Sequence, residues 1–164
     1  MSFAVRRLDG QDATAYQAVR LEALRAEPTS FGGTYEEDAN LPVTHFADYL
    51  DRYFCFGAFD AAGLCATANF YVETATKTRH RGHVVGVYAE PRVRGQGAAT
   101  AVMTRLIEAA RNEVKQLHLV VTQQNGRALR FYERLGFVIY GEDPRGLCVG
   151  DRYYDDYLMV LRLD

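Results

Sequence analysis

The chain has 164 residues, 48% of them hydrophobic and 24% charged, with a net charge of −2. That length predicts one domain, able to bury roughly two-thirds of its unfolded surface. The near-balanced charge and a pI of about 6.1 exclude a general nucleic-acid-binding footprint, and no apolar run approaches the ~20 residues of a membrane span.

Residues 1–7 carry no apolar signal region, so the cytoplasm is the expected compartment. The three cysteines, Cys55, Cys65 and Cys148, have neither the number nor the spacing of a disulfide framework or a zinc site, and no metal is expected. Cys55 and Cys65 fall in strand-like segments and read as small buried hydrophobes. Cys148 sits near a glycine-flanked loop and is expected to be more exposed.

In chain order, Phe3 to Leu8 reads as a short strand, and Asp9 can cap a helix over about 12–25. Ala15, Val19, Leu21 or Glu22, and Leu24 form its apolar stripe, and Pro28 ends it. Residues 27–41 hold Pro, Ser, Gly and Asn and read as a loop with room for a helical turn. Pro42 can open a second helix, with His45, Phe46, Tyr49 and Leu50 as inward positions. Segments 53–59 and 64–72 read as paired strands, joined through Asp60-Ala61-Ala62-Gly63 in a hairpin. A strand over 81–89, a helix over 97–112, a strand over 117–122, a helix over 126–135 and strands over 137–141 and 152–163 complete the chain. The pattern is mixed α/β, with hairpins first and strand-helix-strand units in the middle.

The most informative segment is the apolar strand His83 to Ala89, then Pro91, then Arg94-Gly95-Gln96-Gly97-Ala98-Ala99 leading into a helix. Strand, glycine turn, helix is an order that aims unpaired backbone N–H groups at an anion, and the helix dipole adds to that field. A P-loop is excluded because no Gly-Lys pair follows. A dinucleotide fingerprint fits Gly95 and Gly97 but meets Thr100 at its third small position. The third reading is R-x-x-G-x-A, filled by Arg94, Gly97 and Ala99. Taken alone, the segment also reads as a plain strand-to-helix turn.

Downstream, Asn125-Gly126-Arg127-Ala128-Leu129-Arg130-Phe131-Tyr132-Glu133-Arg134-Leu135-Gly136-Phe137 follows a strand. Asn125 suits a helix N-cap. Ala128, Phe131, Tyr132 and Leu135 recur at helical spacing, and Gly136 suits the position just past the helix end.

Together and in this order, R-x-x-G-x-A and N-x-x-A-x-x-F-Y-x-x-x-G-F resemble the two hallmark motifs of the GNAT superfamily of acetyl-CoA-dependent N-acetyltransferases. The resemblance covers nearly the whole chain, by element order in the first 80 residues and by motif afterwards. It implies a central twisted mixed sheet of about six to seven strands flanked by about four helices. It also implies direct acetyl transfer from acetyl-CoA to a primary amine of a small molecule or protein.

On that resemblance, the backbone of Val87, Tyr88 and Ala89 would hold the pantetheine arm, and Arg94, Gly95, Gln96, Gly97, Ala98 and Ala99 the pyrophosphate. Asn125 would orient the thioester region, a backbone N–H near Val87 would stabilise the oxyanion, and Tyr132 would protonate the leaving thiolate. The general base is left among His83, Glu73 and a water chain. A non-catalytic acyl-CoA-binding module is the alternative reading, and a homodimer is common in the family.

Acidic and aromatic residues at Thr34 to Asp38 and Asp151 to Tyr157 suit a cationic amine acceptor, and read equally as solvated loop charge. Among the basic residues, Arg127 and Arg130 could contact a 3′-phosphate or pair with Glu133 or Glu108.

Overall fold

The computed structural model describes residues 2–164. Seven strands form one mixed sheet: β1 (Ala4–Arg7), β2 (Phe54–Asp60), β3 (Gly63–Val72), β4 (Arg81–Ala89), β5 (Gln116–Thr122), β6 (Val138–Val149) and β7 (Arg152–Arg162), in the spatial order β1-β2-β3-β4-β5-β7-β6. Five α-helices accompany it: α1 (Ala13–Ala26), α2 (Tyr35–Ala39), α3 (Val43–Arg52), α4 (Ala98–Ala110) and α5 (Gly126–Arg134). The short α2 is the helical turn allowed for in the 27–41 loop. Thr34 and Glu37 close it with a reciprocal capping box.

One face of the sheet packs on α4 and α5 around Phe56, Phe70, Val102, Met103, Leu106, Leu117, Phe137 and Met159. The other packs on α1 and α3 through Leu8, Tyr16, Val19, Leu24, Phe46 and Leu50. The α1 stripe differs from the expected one. Tyr16 and Ala23 are buried whereas Ala15 is exposed: the inward face runs through Ala13, Tyr16, Val19 and Ala23 at three- and four-residue spacing, after a 3-10 turn at Gly10–Asp12 capped by Asp9. His45 is exposed too, and its ring meets Phe46 edge-on.

Two features of the sheet set up the site. The first is the junction of β4 and β5, the only parallel pair among the described residues. They are joined at Arg81↔Gln116, Gly82↔Leu117 and His83↔His118, and then diverge. Beyond His83 the β5-facing edge of β4 has no strand partner.

The second is a bulge. Thr67 of β3 opposes Tyr88 and Asn69 opposes Val85, so β4 carries one extra residue there. Gly86 sits in it at φ +63°, and a Cβ would stand 2.7 Å from Asn69 Nδ2. Glycine is therefore required twice over, by conformation and by space. The extra residue inverts the alternation that simple strand parity predicts. His83 and Val85 do not share a face with Val87 and Ala89: these two pack toward α4, while Tyr88 turns into the α1 side.

The penultimate strand is longer than 137–141. It begins at Val138, leaving Phe137 buried before it, and continues to Val149 beside β7, with irregularities at Ile139/Gly141 and Asp143/Leu147 that accommodate Pro144. Cys148 accordingly lies within β6, exposed, its thiol directed at the Gly150 carbonyl. No helix of the described residues is long and apolar enough to cross a membrane.

Candidate active site

Divergence of β4 from β5 opens a cavity of about 510 Å³ between Val87-Tyr88-Ala89 on one side and Val120-Val121-Thr122 on the other. Arg94, Gly95, Gly97, Ala98 and Ala99 close one end, and Asn125 and Tyr132 the other. Of the cofactor-binding candidates, Gln96 alone does not line it; its amide donates to the Arg92 carbonyl at 3.0 Å.

Gly95 and Gly97 have φ of +77° and +90°, and a Cβ at either would meet nothing within 4 Å. Glycine is thus needed there for backbone shape, and the space above it is open. Gly97 caps α4, so the free N–H groups of the first helical turn face that opening.

The Arg94 side chain donates to the Ala89 carbonyl at 3.1 Å and to Glu27 at 2.8 Å. Arg127 reaches the same Glu27 oxygen at 3.2 Å, instead of a partner on its own helix. Asn125 caps α5 by accepting from the Ala128 N–H at 3.2 Å, and its amide donates to Ser30 Oγ at 3.4 Å.

A second cavity, also about 510 Å³, opens on the other side of the strand gap. His83, His118, Tyr71, Asp143, Asp156 and Gly146 are among its walls. Ser30, Val87, Val120, Thr122 and Tyr132 line both cavities. Tyr132 projects from α5 with its ring edge-on to Phe131 and Phe137, centroids 5.3 and 5.9 Å away. Its hydroxyl makes no hydrogen bond to any described residue, and burial, with the Glu27 charge beside it, raises the phenol's pKa. The group is therefore a proton carrier at neutral pH.

At the closed end of the strand gap, His83 Nε2 lies 2.6 Å from Glu73 Oε1. Hydrogen bonds from Thr78 and His83 hold the Glu73 carboxyl down at about 2, with the Arg81 charge assisting. An ionised carboxylate only accepts, so Nε2 carries the proton and Nδ1 of a neutral ring keeps its lone pair. The Tyr71 ring stacks on His83 at 5.0 Å and fixes its plane. Both base candidates are thus one unit, with the carboxylate behind the imidazole.

His118 is a residue that sequence reasoning missed. It is the cross-strand neighbour of His83, ring centroids 5.6 Å apart. Its Nε2 accepts from Gln116 at 2.8 Å and its Nδ1 meets the Tyr140 hydroxyl at 3.2 Å. Burial first, then the Arg81 and His83 charges, push its pKa down to about 4, so it is neutral. The available signal was the polar residues Gln116, His118 and Thr122 at even spacing in an otherwise apolar strand. The cysteines take no part. Burial pushes the Cys55 thiol up to about 12, and none of the three lines either cavity.

Residues 19–137 match the Acetyltransferase (GNAT) family. An uncharacterized N-acetyltransferase of Mycobacterium bovis is 32% identical over 143 residues, covering 77% of this chain and 79% of the relative. An L-amino acid N-acetyltransferase of Escherichia coli is 31% identical over 84 residues, 49% of this chain and 52% of that protein. Among solved structures, a putative acetyltransferase of Salmonella typhimurium with its cofactor acetyl-CoA superposes with a TM-score of 0.86 over 100% of this chain and 95% of that one; at 19% identity this likeness speaks to the fold. With two ordered motifs, a seven-stranded sheet parted at β4 and β5, and a relative spanning most of its length, the chain belongs to the GNAT family and is an N-acetyltransferase.

Proposed function

We propose that the chain moves an acetyl group from acetyl-CoA directly to a primary amine, with a small molecule as the first acceptor class to test and a protein amine as the second. The observation that carries the proposal is the meeting of two cavities at Tyr132, Val87 and Val120. Such a junction suits two substrates that react without a covalent enzyme intermediate. The name of the E. coli relative favours a small acceptor.

The residues of the first cavity fit acetyl-CoA. The unpartnered edge of β4 offers backbone groups of Val87 and Ala89 to an extended arm, as an exposed strand edge does. The open space over Gly95 and Gly97 admits a pyrophosphate to the amides of α4. When bound, the thioester supplies the activated acetyl group.

The second cavity brings the amine to the gap. The Glu73–His83 pair accepts the ammonium proton, directly or through water. Glu73 stabilises the imidazolium that forms, and His83 Nδ1 is the accepting atom. The Val87 N–H, re-aimed by the Gly86 bulge, faces the charge that develops on the carbonyl oxygen. Tyr132 gives its hydroxyl proton to the departing sulfur. Most of the rate comes from holding the two substrates in register across the gap. Amine profiling with radiolabelled acetyl-CoA tests the proposal. Label transfer to primary amines supports it, and acetyl-CoA binding without transfer to any small or protein amine contradicts it.

A further inference from the structure

Asp156 lies on β7 directly across from Thr122 of β5 and Asp143 of β6. It is only 6% exposed, and it lines the second cavity. Among the described residues no cation pairs with it, and the Thr122 hydroxyl is the donor beside its carboxylate. That hydroxyl also donates to the Thr29 carbonyl at 2.7 Å, and the nearby Arg145 N–H goes to Asp155 at 2.8 Å. A buried, ionisable group without a cationic partner is expensive unless something else neutralises it.

The immediate surroundings sharpen that cost. A Cβ at Gly146 would collide with Asp156 Oδ2 and stand 3.0 Å from Asp143 Oδ2, so the two carboxylates converge on a space kept clear by a glycine. Burial raises the pKa of Asp156, the neighbouring Thr122 hydroxyl offsets part of that rise, and the Asp143 and Asp155 charges add to it. The basic side chain on this cavity, Arg20, is already paired with Asp38 at 3.0 Å and lies over the Phe31 ring. Asp143 and Asp156 are therefore its unneutralised charges.

We infer that Asp156 and Asp143 hold a second cationic centre of the acceptor, so that the preferred substrate is a primary amine carrying another ammonium group on a short alkyl spacer. This rests on the proposed acetyl transfer at the Tyr132 junction. The spacing follows from the strand. Val120 and Thr122 both line the junction, and Asp156 is the cross-strand neighbour of Thr122, so the second charge lies within about 7 Å, two residues of β5, of the reacting centre. Between them the wall is Val120, Val87 and Leu147, apolar and suited to methylenes. A diamine thus places one nitrogen at the reacting centre and the other between the carboxylates, where the charges attract through a poorly hydrated path.

The test compares diaminobutane with butylamine, which has the same carbon chain and one charge fewer. Calorimetry on the whole protein in the presence of CoA reads binding, and thiol release from acetyl-CoA reads transfer. The diamine should bind at least tenfold more tightly, and D156N should bring that ratio close to one. Because Asp156 is buried, D143N at an exposed position serves as a second variant and should reduce the ratio severalfold; unchanged circular dichroism shows that both are folded. Equal affinity for the two amines overturns the inference, as does a preference that survives both substitutions. A preference erased by D156N without transfer to any amine upholds the cation site and overturns the acetyl-transfer reading instead.

Discussion

Replacing Tyr132 with Phe removes one oxygen at the point where the two cavities meet. The hydroxyl makes no protein hydrogen bond, so no buried partner is orphaned and the edge-on packing on Phe131 and Phe137 persists. Stability should stay within about 1 kcal/mol of the parent. On the proposed mechanism, transfer loses its proton donor to sulfur. General acids typically contribute about 10²–10⁴-fold, and a thiolate is an easier leaving group than most, so the fall should be at least about tenfold, or ~1.4 kcal/mol in the barrier. The assay pairs thiol release under saturating amine with the thermal shift produced by acetyl-CoA. The expected outcome is reduced turnover with an unchanged shift. Unchanged turnover would refute the assignment of the acid, and loss of the shift would move Tyr132 from chemistry to binding.

Three further outcomes follow from the same geometry. Gly97→Ala forces a side chain into a φ of +90°, at a cost of about 1–2 kcal/mol; it should lower the melting temperature and weaken acetyl-CoA binding, both read by thermal unfolding. Glu73→Gln removes the partner 2.6 Å behind His83 and should lower kcat/KM for amines. Because the folded Glu73 carboxyl sits near 2, below its unfolded value, its stabilising effect is complete above about pH 4.3 and is lost as pH falls toward 2; the variant should flatten that part of a stability–pH profile. His118, held near 4, stays neutral in the fold while the unfolded chain takes up a proton below about 6.5. Stability should therefore fall as pH drops from 6.5 to 4, and H118N should reduce that slope.

The glycine turn before α4 and the α5 helix were legible because each is a local device. Gly95 and Gly97 adopt the positive φ that only glycine takes easily, and Asn125 caps the helix that carries Tyr132. The β4 bulge was not legible. Period-two alternation assumes an unbroken ladder, and the extra residue becomes visible only once Thr67 pairs with Tyr88 and Asn69 with Val85. The strand expected over 137–141 runs on to Val149, because irregular pairing lets Pro144 pass and brings Asp143 opposite Asp156.

The same holds for partners distant in sequence. Glu27 gathers Arg94 and Arg127 across more than half of the chain, and helical spacing alone would have paired Arg127 with nearby glutamates. His83 and Glu73 were each readable as bases, but their union depends on β3 and β4 returning side by side. His118 joins them through the single parallel contact of the sheet.

The central claim is that the gap between β4 and β5 holds acetyl-CoA. Thermal unfolding with acetyl-CoA, against NAD and ATP as controls, tests it most directly. Selective binding stabilises the fold by about 2.7 kcal/mol at a hundredfold excess over Kd, and the account predicts a rise in melting temperature with acetyl-CoA alone. No shift at millimolar acetyl-CoA, or equal shifts with NAD and ATP, would contradict it.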